Sequence, residues 1–401
     1  MMKKFLISTA VLITMFCLPT DGAYAEENLE TKLLKINEEP ILKVPEEIPE
    51  QFTYDSGVEI PYPEEGVKGI YVTGHSAGGA RMDKLVDLVN DTELNAMVID
   101  VKDDFGDMML DLQSENELVQ KFSKDIVDGE SLMKTVEENG IYPIARIVVF
   151  KDSRLAQERP DLSFTHEDGS VWENGRGENF VNPFSKDVWN YNIEIAKQAA
   201  KMGFKEIQFD YVRFPEGFEN RADELNYTHG DYEGEEDDVQ QRVNAVTDFV
   251  AHAYQELKPY GVDVSVDIFG YSATLPEAPG IGQNFTKISE NVDVISSMIY
   301  PSHWGNGYFN IAKPDLEPYQ VIDEYMKVEK EVLGKMEDPP TSRPWLQDFT
   351  ASYLGSGNYK NYGAEEVEAQ IRALADHGVN EFLLWDAGNT YTEGVDYTPG
   401  D

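Results

Sequence analysis

Eight short β-branched or apolar runs, each followed by a stretch of helical period, predict an α/β chain folded as a (β/α)8 TIM barrel with one catalytic-type domain. Two further observations agree. Gly140, Gly203, Gly261 and Gly378 each stand between a helical stretch and the next run, where a left-handed C-terminal residue makes a tight connection. The long connections, 150–185, 214–237, 301–317 and 350–363, all follow a strand, so they gather on one rim, where such barrels build their sites. A doubly wound sheet would need a glycine-rich phosphate turn, and Gly74-His75-Ser76-Ala77-Gly78-Gly79 has the wrong spacing.

Along the chain, Lys3 and Lys4, the apolar run Phe5 to Leu18 and the small-x-small site Ala23-Tyr24-Ala25 read as a secretory signal over residues 1–25. The apolar run is too short for a membrane span, and Phe16 before Cys17 argues against a lipoprotein signal. The expected location is secreted, extracellular or associated with the cell wall. Residues 26–65, rich in acids and carrying Pro40, Pro45, Pro49, Pro61 and Pro63, read as a mostly disordered linker.

The barrel is expected over 66–392, with a tail at 393–401. Its strands are expected at 69–73, 96–101, 142–149, 206–212, 262–269, 294–300, 344–349 and 381–385. Helices are expected over 82–89, 125–138, 186–201, 238–258 and 364–377.

Composition narrows the function. Lys and Arg total 33 against 75 Asp and Glu, a formal charge of −42, which excludes a nonspecific nucleic-acid binder. Such a surface suits solubility in salty or alkaline surroundings, and secondarily neutral or cationic substrates. The single cysteine, Cys17, lies in the export segment, so disulfides, a thiolate nucleophile and a cysteine metal site are not expected. Ser76 has no elbow motif or base. His75 and His303 follow the first and sixth strands without metal-ligand spacing, so hydrogen bonding to substrate or ordinary loop structure is the expectation; no cofactor and no metal are called for. The acidic loop 230–238 lacks the ligand spacing of an EF-hand and reads as a solvated lid edge or as helix N-terminal charge.

Carboxylates cluster at strand ends: Asp100 (followed by Lys102), Asp210, Asp267, Asp348 and Asp386. In Gln208-Phe209-Asp210 alternation puts Gln208 and Asp210 on one face, directed into the barrel mouth. Two carboxyl groups flanking a bond are what glycoside hydrolysis requires, one ionised and one protonated. Arg213 would keep Asp210 ionised, a nucleophile or base, and Asp267, with fewer cations nearby in sequence, would be the acid. Tyr71, Tyr211, Tyr271, Tyr300, Trp172, Trp304 and Trp385 offer faces and hydroxyls to sugar rings, whereas Trp189 and Trp345 are expected in the core.

The segments Lys68 to Thr73, Val98 to Asp104, Phe209 to Pro215 and Met298 to Trp304 resemble a bacterial glycosyl hydrolase domain family of unknown function. The likeness covers nearly all of 66–392 and implies a TIM barrel related to the α-amylase and endo-α-galactosaminidase groups. In the α-amylase clan the strand-four Asp is the nucleophile, matching Asp210, and a third Asp follows strand seven, matching Asp348. The strand-five acid there is Glu where this chain has Asp267, and the arginine here lies after the aspartate rather than two residues before it. The expectation is a secreted glycosidase acting on an extracellular or cell-wall polysaccharide. Asp100, Lys102, Arg213, Tyr71, His75, Tyr300, His303, Trp304, Trp385 and Asp386 would bind substrate. The alternatives are an inactive carbohydrate-binding barrel of the envelope and a metal-dependent polysaccharide deacetylase or hydrolase using His75 or His303.

Overall fold

In the computed structural model, which describes residues 52–234 and 237–398, eight parallel strands close into a barrel. They are β1 (Lys68–Val72), β2 (Ala96–Lys102), β3 (Tyr142–Val148), β4 (Glu206–Asp210), β5 (Asp263–Phe269), β6 (Val294–Met298), β7 (Trp345–Gln347) and β8 (Phe382–Trp385). Each pairs with the next, and β8 pairs with β1, so no edge is left. Helices α1 (Arg81–Asn90), α2 (Gly129–Glu138), α3 (Lys186–Met202), α4 (Asp238–Leu257), α5 (Phe285–Ser289), α6 (Pro318–Leu333) and α7 (Ala364–Asp376) follow β1 to β7 in turn. Their apolar stripes pack on the outside of the strands, as with Val188, Ile195 and Ala199 of α3 and Val246, Phe249 and Ala253 of α4. None of the described helices is long and apolar enough to cross a membrane.

The glycines at 140, 203, 261 and 378 all take positive φ, as the tight helix-to-strand connections require. At Gly203 the need is steric as well: a Cβ there would stand 2.4 Å from Val58.

Some boundaries differ from expectation for local reasons. β4 stops at Asp210, two residues early, because Tyr211 sits in the left-handed region at φ 53° and cannot continue a strand. β6 stops at Met298, and a helical turn begins at Pro301. The helix expected from Asp125 starts at Gly129, capped by the Asp128 carboxylate on the Ser131 N–H, while Ser123–Val127 is a strand. That strand lies beside Met108–Leu110, which runs antiparallel to β2.

Residues 52–65, part of the range read from sequence as linker, lie against the barrel. Ile60 is buried, Tyr54 packs near Tyr260, and the Lys205 ammonium donates to the Val58 carbonyl. Beneath the barrel Arg343 binds both oxygens of Glu206 at 2.8 and 2.6 Å, reaches Glu381 at 2.7 Å and donates to the Tyr62 hydroxyl at 3.0 Å. The segment therefore closes the base of the barrel. Likewise Val395 and Tyr397 of the expected tail are buried against the core. Residues 1–25, read as an export signal, lie outside the described residues.

Candidate active site

Alternation along the strands aims four polar side chains of the upper barrel inward: Asp100 of β2, Arg146 of β3, Asp210 of β4 and Asp267 of β5. Asp100 and Arg146 are register partners, and Gln208 pairs with Ser265 and Phe209 with Val266. Extending that register by one residue sets Asp210 opposite Asp267 on neighbouring strands.

Arg146 is the hub. Its Nη1 donates to Asp100 Oδ1 at 2.7 Å, and its Nε and Nη2 both donate to Asp210 Oδ2, at 2.9 and 2.6 Å. Asp104 lies 3.5 Å from the same Nη2. The guanidinium rests near the Tyr71 and Trp385 rings, which stack at 4.1 Å, and the Tyr71 hydroxyl donates to Asp100 Oδ2 at 2.7 Å. Asp210 Oδ1 accepts the Tyr211 N–H at 2.6 Å, an approach made by the left-handed turn at Tyr211. A non-glycine residue in that conformation is strained, and here it directly follows the carboxylate that lines the cavity floor.

Among the described residues Asp267 makes no ion pair. Its Oδ1 accepts the Trp345 indole N–H at 2.7 Å, the one hydrogen bond it makes among the described residues. Burial first, and then the negative charge of Asp210, push its carboxyl well above the ordinary carboxylate range, beyond what the indole N–H and Arg146 pull down. Burial also pushes Asp100 up, to about 6, against the opposing pull of Arg146 and Tyr71. One guanidinium is thus shared among several carboxylates, and Asp267, which makes no bond to it, favours the protonated form.

Above these groups lies a cavity of roughly 1100 Å³, walled by the loops after β3, β4 and β6 and lined by Trp172, Tyr211, Tyr271, Tyr300, Trp304, Trp345 and Trp385. Its size and its mix of aromatic faces and convergent polar groups suit an oligosaccharide segment. Burial, then Asp267 and Asp210, push the Tyr300 phenol up, so it stays a hydrogen-bond donor over the working pH range.

Of the residues singled out from sequence, Asp210, Asp267, Arg213, Tyr300, His303, Trp304 and Trp385 line this cavity. Asp100 and Tyr71 sit behind Arg146 and support it from beneath. Trp172, Tyr211 and Tyr271 also line it, whereas Lys102, Asp348, Asp386 and His75 stand elsewhere. Lys102 would face inward by alternation from Asp100, but the register shifts between the two, and Lys102 turns into the helix layer, where it pairs with Asp152 at 2.6 Å and Asn192 at 2.9 Å. Asp348 falls out of phase with the inward Trp345, and its carboxylate binds the N–H and hydroxyl of Thr392. Asp386, next to the inward Trp385, accepts the Gly388 N–H and shapes the loop after β8. His75 is exposed on the short helix Gly74–Ala77, outside the cavity lining. Among the described residues no group of three or more His, Cys, Asp or Glu is arranged to hold a metal ion.

The cavity also contains residues that sequence reasoning passed over: Arg146, Asp104, Lys151, Glu178, Arg176, Glu216 and Arg221. Trp345 is in the core as expected, and from there it also gives its indole N–H to Asp267 and touches the cavity. Arg146 had a readable signal, an arginine inside the apolar run Tyr142 to Val149 of a strand buried on both faces.

A family profile described as "Putative glycosyl hydrolase domain" matches residues 69–391. Among solved structures, a hypothetical protein from Ruminiclostridium thermocellum is 35% identical, with 49% of this chain and 96% of that one covered and a TM-score of 0.42. The glycoside hydrolase domain of PgaB (BpsB) from Bordetella bronchiseptica is 15% identical, with 80% and 94% covered and a TM-score of 0.51, a likeness of fold. No curated protein matches the chain.

Proposed function

The chain belongs to this glycosyl hydrolase domain family, and from that premise we propose that it cleaves glycosidic bonds of an extracellular or cell-wall polysaccharide by a two-carboxylate mechanism. The observation that carries the reading is the pair Asp210 and Asp267, side by side on β4 and β5 at the floor of the cavity, one held by a guanidinium and the other driven toward its neutral form.

Asp210 is the nucleophile or base. Arg146 donates twice to Oδ2 and sets its positive charge against this carboxylate, so it takes, from β3, the place of the arginine that the α-amylase pattern sets two residues before the nucleophile. Asp267 is the acid. The Trp345 N–H occupies Oδ1, which leaves Oδ2 to carry the proton that passes to the departing glycosidic oxygen. As the bond to that oxygen breaks, positive charge grows on the sugar ring, and Asp210 faces it. The Tyr300 hydroxyl and the Trp304 and Trp385 faces position the ring.

Neighbouring strands stand about 4.7–4.9 Å apart, which supports the short carboxyl spacing of about 5–5.5 Å used by retaining enzymes. The expected outcome is therefore a first-formed product with the anomeric configuration of the substrate, read by proton NMR during digestion of purified wall and capsular polysaccharides. Inverted product would exclude Asp210 as nucleophile. Turnover by Asp210→Asn equal to wild type would remove Asp210 from the mechanism. The proposal of export rests on the sequence of residues 1–25, with its lysines, apolar run and small-x-small site.

A further inference from the structure

We infer that the substrate carries a negatively charged group, a carboxylate or a phosphate on the sugar, held by arginines of the cavity wall. This names a substrate class for the glycosidase reading and rests on it for the cavity being a sugar site.

The chain as a whole is strongly acidic, yet the cavity lining sets five Lys and Arg against five Asp and Glu. Two of those cations are committed: Arg146 to Asp100, Asp104 and Asp210, and Lys151 to Asp104 and Glu178 at 3.2 and 2.9 Å. Of the other three, Arg213 makes one long ion pair, with Glu216, and Arg176 and Arg221 make none among the described residues.

Arg213 is only 5% exposed. Its guanidinium lies 4.8 Å from the centres of both the Tyr211 and Phe269 rings, which hold its plane fixed. Yet its fork makes two long bonds, Nη1 to the Phe214 carbonyl at 3.2 Å and Nη2 to Glu216 at 3.3 Å, and that glutamate is 67% exposed. A guanidinium has five N–H donors, and those of Arg213 beyond these two bonds open on the cavity, where an anion can meet them. Arg176, from the loop after β3, and Arg221, from the loop after β4, are exposed at the same cavity, and neither side chain makes an ion pair or hydrogen bond among the described residues. Three guanidinium forks open to one cavity suit bidentate capture of a carboxylate or phosphate. A neutral sugar would leave them unused, and an amino sugar would be repelled.

The acidic surface does not contradict this. At about 0.1 M salt, charge beyond roughly 10 Å is screened, so inside the cavity the local arginines decide.

The test is binding, which does not depend on hydrolysis. Isothermal titration of the protein with glucuronate, glucose 6-phosphate and glucose compares carboxylate, phosphate and neutral arms. At least one charged sugar is expected to bind about tenfold or more tightly than glucose. The preference should disappear in the double variant Arg176→Gln, Arg221→Gln, whose exposed positions leave folding intact, and should weaken in Arg213→Lys, which keeps the charge but loses the fork. Equal binding of all three sugars, no binding of either charged one, or a preference untouched by the double variant would overturn the inference. Turnover on polysaccharides is scored separately: absence of hydrolysis with the charge preference intact would sink the catalytic reading and leave the anion site standing.

Discussion

At the foot of the barrel Arg343 is buried among Glu206 and Glu381; at the mouth Arg146 is buried among Asp100, Asp104 and Asp210. The two clusters use the same chemistry to different ends. The lower one is closed: both oxygens of Glu206 are taken, and Tyr62 of the N-terminal segment caps the guanidinium. The upper one opens into a cavity, includes a strained residue at Tyr211, and has beside it a carboxyl, Asp267, that makes no ion pair among the described residues. Buried charge alone therefore does not mark a site. What distinguishes the mouth is imbalance, more carboxylates than its guanidinium can hold ionised, exposed to a space where a ligand can enter.

If that distinction holds, substitutions at the two ends should separate activity from stability. The largest effect is expected at the mouth. Asp210→Asn and Asp267→Asn should each lower kcat by roughly 10²–10⁴ while shifting thermal unfolding little, measured on the polysaccharide that the wild type digests. At the foot the pattern should reverse. Arg343→Met strands Glu206 without its cation and should cost about 3–5 kcal/mol in denaturant unfolding, with kcat per folded molecule unchanged. A drop in kcat per folded molecule in that variant would break the comparison. Tyr62→Phe removes a half-exposed hydroxyl that donates to Glu381 at 2.6 Å and accepts from Arg343, and should cost about 1 kcal/mol, again without loss of activity.

The eight strands were legible because hydrophobic period and turn glycines report backbone geometry locally. Much of the site was not, because it depends on phase and on distant pairing. Asp267 and Asp348 look alike at the ends of their strands, but one falls on the inward phase and the other does not. Lys102 followed the alternation on paper, and a one-residue register shift sends it to the other face. Arg146 meets Asp100 across 46 residues and Asp210 across 64, distances at which sequence spacing says nothing. The base segment was hidden differently: prolines and acids dominate its composition, while Ile60 and Tyr62, two well-placed side chains, anchor it.

The smallest predicted effect tests the imbalance itself. Asp267 has a folded-state affinity for its proton raised above that of the unfolded chain, so its contribution to stability is complete below the unfolded value, near 3.8, and is lost as pH rises through the folded one. On the alkaline limb the wild type should therefore lose both stability and turnover as this buried carboxyl ionises beside Asp210. Asp267→Asn has no proton to lose, so its melting temperature should vary less with pH over that limb, whereas Arg343→Met should retain the wild-type slope. Parallel profiles for wild type and Asp267→Asn, from thermal scans at a series of pH values, would mean that Asp267 is ionised in the native state at working pH. The acid would then have to be sought among the other carboxylates of the cavity wall, Glu178 and Glu216 first.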